Sequence, residues 1–289
     1  MTTYLVGLDA SDHARDALSW ALAVARPDDP VVVVHAWDMP VVTGYEAGAS
    51  VDPADAQASS RDFVRAVMSQ HPERRVEGRI ADGPAGRALV EAAEALGPDL
   101  VVVVGHGGSG KSSLLLGSTA HHVVHHVHLP VVVVRGEVRI PVNRVVVGVE
   151  GFDDDDVPDD RSMAAMRFAL ELPGATRVEV SHADFVPGVA AGPVREPGLE
   201  SDEEAAEDDA HLRRAIAVAT GGTGVGPNGA EVVPVVAAGT GAFALIEASR
   251  DADLIVIGTR GRSGLVELVV GSTTLEVLAH AHCPVAVVH

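Results

Sequence analysis

The stretch DLVVVVGHGGSGKSSLLLGSTAHHVVHHVHLP (Asp99–Pro130) recurs without a gap as DLIVIGTRGRSGLVELVVGSTTLEVLAHAHCP (Asp253–Pro284), 154 residues further along the chain. Each copy holds an aliphatic run, a glycine-containing loop, a helix-like segment and a proline that opens a second valine-rich run. Upstream, TTYLVGLD ending at Asp9 matches NRVVVGVE ending at Glu150 at an offset of 141, and VVVVHAWD around His35 matches VEVSHADF around His182 at an offset of 147. The rising offset places insertions in the second copy. One is GFDDDDVPDD before Ser162, and another lies among acidic, glycine and proline residues between Phe185 and Val232. Both read as surface loops. A repeat on this scale sets the architecture before any single element is assigned. It divides the chain into two domains, 1–138 and 139–289, with Arg135–Pro141 as the linker.

Strand runs such as Leu100–Val104 and Val31–Val34 are apolar throughout rather than alternating, as strands covered on both faces are. Between them lie segments of helical period. Ser11 or Asp12 can cap a helix whose Ala14, Ala17, Leu18, Ala21 and Leu22 recur at three and four. The first copy then reads as strands Tyr4–Leu8, Val31–His35, Val76–Ile80, Leu100–Val104 and one from Val131. Helices span Ala54–Gln70, Ala85–Leu96 and a segment after Ser118. Strands alternating with helices predict an α/β fold with a mostly parallel sheet and right-handed crossovers.

At 289 residues and 47% hydrophobic composition the chain is long enough for two packed cores and too apolar for wholesale disorder. A formal charge of −20 disfavours nucleic acid and anionic membrane surfaces as partners. Cys283 is the sole cysteine, so neither an intrachain disulfide nor a cysteine zinc cluster can form. No basic leader precedes the first strand, and the aliphatic runs fall far short of the roughly 20 residues that span a bilayer. A soluble protein of the reducing cytoplasm is expected.

The second copy contains Gly258-Thr-Arg-Gly261, nine residues, then Gly271-Ser272, between a buried strand and a helix start. Glycines there let the backbone approach an anion, and the free N–H groups of a helix start favour phosphate; a plain strand-to-helix turn is the competing explanation. Acidic Asp9 and Glu150 fall at the carboxyl ends of the first strands, where open α/β sheets bind small ligands.

Together VGLDAS, the Ala-Leu-x-Trp-Ala helix, VVVHAWD, GTRGRSGLVELVVGS and HCPVAVV resemble the universal stress proteins, in their tandem form and ATP-binding branch, over nearly the whole chain. The resemblance implies two Rossmann-like domains of the adenine nucleotide alpha hydrolase-like type. Each would be a five-stranded, mostly parallel sheet flanked by helices, with ATP or a related adenine nucleotide at the strand tips. It implies that the first-strand acid contacts the nucleoside, the residue after the strand-two His lines the adenine pocket, and the loop glycines and Ser hold phosphates. Carried onto this chain, the binding set is Gly7, Leu8, Asp9, Ala36, Gly105, Gly107, Gly108, Lys111, Gly117, Ser118 and Thr119 in the first copy. In the second it is Glu150, Ala183, Gly258, Arg260, Gly261, Gly271, Ser272 and Thr273. The resemblance further implies an internal pseudo-dimer through the apolar final strands, Pro130–Val134 and Pro284–Val288, and is compatible with a homodimer of the whole chain. The expected function is nucleotide binding as a stress-responsive sensor or regulator, without rapid turnover. A nucleotide-free scaffold is the alternative.

Neither copy keeps the full pattern. Val104 stands where Gly258 stands, although Gly107 and Gly117 keep the spacing, and Gly105 and Gly108 offer another register. Glu150 is one methylene longer than Asp and sits near an acidic insertion, whose charge Mg²⁺ would offset. The first copy also spells Gly105-HGGS-Gly110-Lys111-Ser112, a formal P-loop. However, SSLLLGST leads to a second turn before any helix, so a Lys111 phosphate contact within the repeat's own site is preferred to a nucleotide hydrolase. In His121–His128, histidines pair at i, i+4, a spacing that suits a divalent metal, but no carboxylate or Cys is adjacent and no metal site is assigned. A pH-sensitive interface fits the same run. The Asp153–Asp156 run lacks the spacing of a calcium loop and reads as a solvated face.

Overall fold

The valine runs form the inner strands of parallel sheets in the computed structural model, which describes residues 1–9, 11–38, 52–105, 116–150, 158–184, 202–259 and 270–289. The chain divides into two units, Met1–Val131 and Val132–His289. In the first, β1 (Tyr4–Leu8), β2 (Val31–Trp37), β3 (Val76–Asp82) and β4 (Leu100–Val104) alternate with α1 (Asp12–Val24), α2 (Pro53–Ser69) and α3 (Ala85–Leu96), and α4 (Ser118–His126) leads to β5 (Val131–Val134). The second repeats the series with β6 (Arg144–Gly148), α5 (Asp160–Glu171), β7 (Arg177–Asp184), α6 (Asp202–Thr220), β8 (Glu231–Ala238), α7 (Gly241–Ala248), β9 (Leu254–Gly258), α8 (Ser272–His280) and β10 (Val285–Val288).

Strand order is β3-β2-β1-β4 in the first unit and β8-β7-β6-β9-β10 in the second. These pairings are parallel: Tyr4 registers with both Val31 and Leu100, and Val145 with both Val178 and Leu254. Helices α1 and α5 pack on the central strands, α2 and α6 on the outer ones, and α3 and α7 lie beside α4 and α8. The central strands are thereby covered on both faces, which is why Leu5, Val6, Val101, Val145, Ile255 and Val256 are buried and their sequence does not alternate.

The hydrogen-bonded ladder outlasts the apolar run. Strands β2 and β3 continue past His35 and Ile80 until Trp37 pairs with Asp82. In α1 the buried stripe includes Trp20 and Val24, while Leu22 is only half-buried. Ser11 occupies the N-cap position of α1, but its side chain does not cap the helix; the hydroxyl donates to the Asp9 carboxylate instead. Asp52 does cap α2, its Oδ1 accepting from Ala54 N at 2.8 Å. Arg135–Pro141 is not a bare connector. Glu137 N donates to His282 O at 2.7 Å, and the Arg139 guanidinium donates to the carbonyls of Ala252 (3.1 Å) and Arg250 (2.8 Å). Gly136 permits this docking: its φ is +59°, and a Cβ there would lie 2.1 Å from His282 O. No helix among the described residues is long and apolar enough to cross a membrane.

The aspartates that open the two copies of the repeated stretch tie strand starts together. Asp99 Oδ2 accepts from Thr3 N at 2.7 Å at the entry to β1. Asp253 Oδ2 accepts from both Asn143 N and Arg144 N at 2.9 Å at the entry to β6. Asp253 is buried and Asp99 exposed. Replacing Asp253 by Ala strands two part-buried N–H groups and is expected to cost about 2 kcal/mol, against less than about 1 kcal/mol for Asp99→Ala. Urea denaturation of the two variants measures the difference, and equal costs would contradict this ranking.

Candidate functional site

Strand order reverses at β1 and at β6. The chain runs outward to β2 and β3, or β7 and β8, and then returns to the other side of the first strand. The connections after the two central strands therefore part, leaving a crevice at their carboxyl ends. The first unit has a cavity of about 190 Å³ there, and the second one of about 220 Å³.

The first cavity brings together Gly7, Leu8 and Asp9 at the end of β1, Ala36 on β2, and Gly117, Ser118 and Thr119 at the start of α4. Val34, Val103 and Val104 form its apolar side, and Ala85 and Leu89 cover it from α3. Gly105 stands at the neck of the loop after β4, where its carbonyl accepts from Gly117 N at 2.7 Å. The second cavity brings together Glu150, Ala183, Gly258 and Thr273, whereas Gly271 and Ser272 open α8 without entering the described wall. Gly107, Gly108, Lys111, Arg260 and Gly261 lie outside the described residues, as do most of the P-loop match and the Asp153–Asp156 run.

Two contacts recur in both crevices. A Cβ on Gly7 would lie 2.7 Å from Leu89 Cδ1, and one on Gly148 would lie 2.8 Å from Leu245 Cδ1. The glycine in VGLD and VGVE thus lets a helix leucine rest on the central strand, and both leucines line their cavities. His35 Nδ1 lies 2.9 Å from Leu8 O, and His182 Nδ1 lies 3.1 Å from Val149 O. A carbonyl only accepts, so each ring donates from Nδ1 and ties the second strand to the end of the first.

Other contacts differ. Asp9 Oδ1 accepts from Ser11 N at 3.0 Å and from the Ser11 hydroxyl, so this carboxylate is held by its own turn. At Glu150 the backbone is held instead: its N–H donates to Ser162 Oγ at 3.1 Å. Asp159 caps α5, its Oδ1 accepting from Ser162 N at 2.9 Å, and its other oxygen pairs with Arg161. Gly258 accommodates α5: a Cβ there would lie 2.5 Å from Arg161 O. In the first copy the Val104 side chain occupies the corresponding wall. Thr240 caps α7, accepting from Phe243 N at 3.2 Å, while α4 and α8 begin at Gly117 and Gly271 with no side-chain cap.

The histidine run continues α4 beyond the cavity. His122 and His126 stack with centroids 4.0 Å apart, and His121 and His125 lie 4.3 Å apart. His126 Nδ1 is 2.8 Å from His122 O. Among the described residues no group of three or more His, Cys, Asp or Glu side chains is arranged to hold a metal. Burial holds His122 below its ordinary value of 6.5, and the neighbouring His126, His121 and His125 add to the effect. Cys283 is buried, which pushes its thiol up to about 12 and keeps it protonated.

A family model described as the universal stress protein family matches residues 1–135 and again 142–289. The chain therefore belongs to the universal stress protein family, in a tandem arrangement. It is 28% identical to a universal stress protein of Mycolicibacterium smegmatis over 302 residues, covering 98% of this chain and 96% of that protein. A universal stress protein of Mycobacterium tuberculosis (strain ATCC 25618 / H37Rv) is 28% identical over 297 residues, covering 98% and 95%. Among solved structures, a universal stress protein from Archaeoglobus fulgidus DSM 4304 is similar in fold, with a TM-score of 0.66 at 17% identity, covering 99% of this chain and 97% of that one.

Several wall residues escaped the sequence. Gly148 and Val149 were within reach, since the offset of 141 carries Gly7 and Leu8 onto them. Leu89, Leu245 and Arg161 reach the crevices from helices, and Thr240 and Asp159 from the N-cap positions before α7 and α5; no local pattern marks them as wall residues.

A lowered His122 pKa carries a definite sign. Above about pH 6.5 the ring is neutral folded or unfolded; as pH falls below that, the unfolded chain takes the proton more readily and stability is lost. Melting at pH 7.5 and 5.5 should therefore show a smaller acid-induced drop in Tm for His122→Gln than for the parent chain. An identical drop would contradict a neutral His122 in the folded state.

Proposed function

We propose that the chain binds an adenine nucleotide, ATP with Mg²⁺, in the crevice of each unit. It would act in the cytoplasm as a stress-response sensor or regulator whose ligand occupancy alters partner contacts, without rapid turnover. The observation that supports this most is the recurrence, in two copies with different loops, of one arrangement at the strand-order reversal. A small residue, Ala36 or Ala183, faces a leucine that leans on a strand glycine, which leaves an apolar slot suited to a planar base. Ser118, Thr119 and Thr273 lie in the first turns of helices without a side-chain cap, where hydroxyls and backbone N–H groups suit phosphate. Asp9 and Glu150 add negative charge beside that position, which a divalent cation would offset.

On the enzyme question, the cavity residues favour binding over turnover. His35 and His182 use Nδ1 on backbone carbonyls, and the Asp9 carboxylate is held by Ser11. No described residue is proposed as catalytic.

Isothermal titration of the full chain with Mg-ATP tests the proposal. Ala36→Trp and Ala183→Trp should each fill one cavity and remove one binding site while the protein stays folded by circular dichroism. Unaltered binding in the doubly substituted chain would place the ligand elsewhere. A parent chain that binds no adenine nucleotide would favour a scaffold role.

A further inference from the structure

We infer that Arg161 is a specificity-determining residue of the second cavity, reading the phosphate of its ligand and selecting nucleotides over nucleosides there. The inference deepens the proposed function and rests on it.

Arg161 forms part of the cavity wall, and its side chain is 31% exposed, open enough to meet a ligand. It is held in place by Asp159, which is itself fixed because its other oxygen caps α5. A guanidinium carries five N–H donors in a planar fork, so it can retain Asp159 while presenting others to a phosphate. Entry of an anion therefore does not require the ion pair to break.

Its position depends on Gly258. A Cβ at that residue would lie 2.5 Å from Arg161 O and 3.1 Å from Arg161 Cβ, so glycine at the end of β9 lets the first turn of α5 come down beside the strand. Thr273, in the first turn of α8, belongs to the same wall. The first copy lacks both halves of this device. Val104 replaces Gly258, and aligning Trp20 with Phe168 puts His13 where α5 has Arg161. His13 is exposed, faces Asp16 at 3.7 Å, and is not part of the first cavity's described wall.

Charge supplies the reason for the residue. The second cavity's wall carries two carboxylates, Glu150 and Asp159, and a phosphorylated ligand entering beside them meets repulsion that a guanidinium offsets. An uncharged nucleoside gains no such benefit, so the contribution of Arg161 should appear only when phosphate is present.

The test uses the full chain with Ala36→Trp filling the first cavity, or Ala85→Trp from α3 if the former lowers Tm. Adenosine, AMP and ATP are titrated calorimetrically into this chain and into its Arg161→Ala and Arg161→Lys derivatives, with folding checked by circular dichroism. Arg161→Ala should weaken AMP and ATP about tenfold and leave adenosine within about twofold, as loss of a charge-assisted hydrogen bond would. Arg161→Lys should recover part of the loss, because it keeps the charge without the fork. Added salt should weaken AMP binding to the parent more than to Arg161→Ala. Equal weakening of adenosine and AMP would make Arg161 a packing residue and overturn the inference, as would no weakening at all. Failure of the Ala36→Trp chain to bind any of the three would overturn the inference, and failure of the unsubstituted chain as well would overturn the proposed function itself.

Discussion

Parallel pairing of β1 with β4, and of β6 with β9, is the constraint on which the rest of each unit depends. It places the first strand at the centre, between a strand that follows it directly and one to which the chain returns only after two further crossovers. It buries the valine runs on both faces, and it separates the connections that leave the carboxyl ends. Asp99 and Asp253 secure the opposite ends of these pairs through backbone N–H groups. The crevices therefore follow from strand order, and the loops elaborate them.

Within that frame the two copies have diverged at the wall rather than at the base. Both retain the strand glycine under a helix leucine and the histidine bound to a carbonyl of the neighbouring strand. They differ in the charged groups of the wall. The first has Asp9 locked by Ser11 and a valine side chain at Val104; the second has Glu150, an Asp159–Arg161 pair and the open Gly258.

Much of this was legible in the sequence because repetition and hydrophobic continuity are local signals. The strands Tyr4–Leu8 and Leu100–Val104 and the helix Ala85–Leu96 read directly, and Asp9, Ala36, Gly117, Ser118 and Thr119 do line one cavity. What escaped depends on contacts between distant segments. Ser11 reads as a side-chain cap, but its hydroxyl is turned to donate to the Asp9 carboxylate and its oxygen accepts no N–H of the helix. Arg135–Pro141 reads as a linker until His282 and Ala252 carbonyls are seen to receive it. Gly258 reads as a phosphate-loop glycine, yet the structure also gives it a packing role against α5 that no spacing rule contains.

The crevices at the two strand-order reversals are proposed to hold an adenine nucleotide. A crystal structure of the full chain grown with Mg-ATP tests this most directly. The base is expected beside Ala36 or Ala183 and the phosphates at the first turn of α4 or α8. Nucleotide bound elsewhere, with both crevices empty, would contradict it.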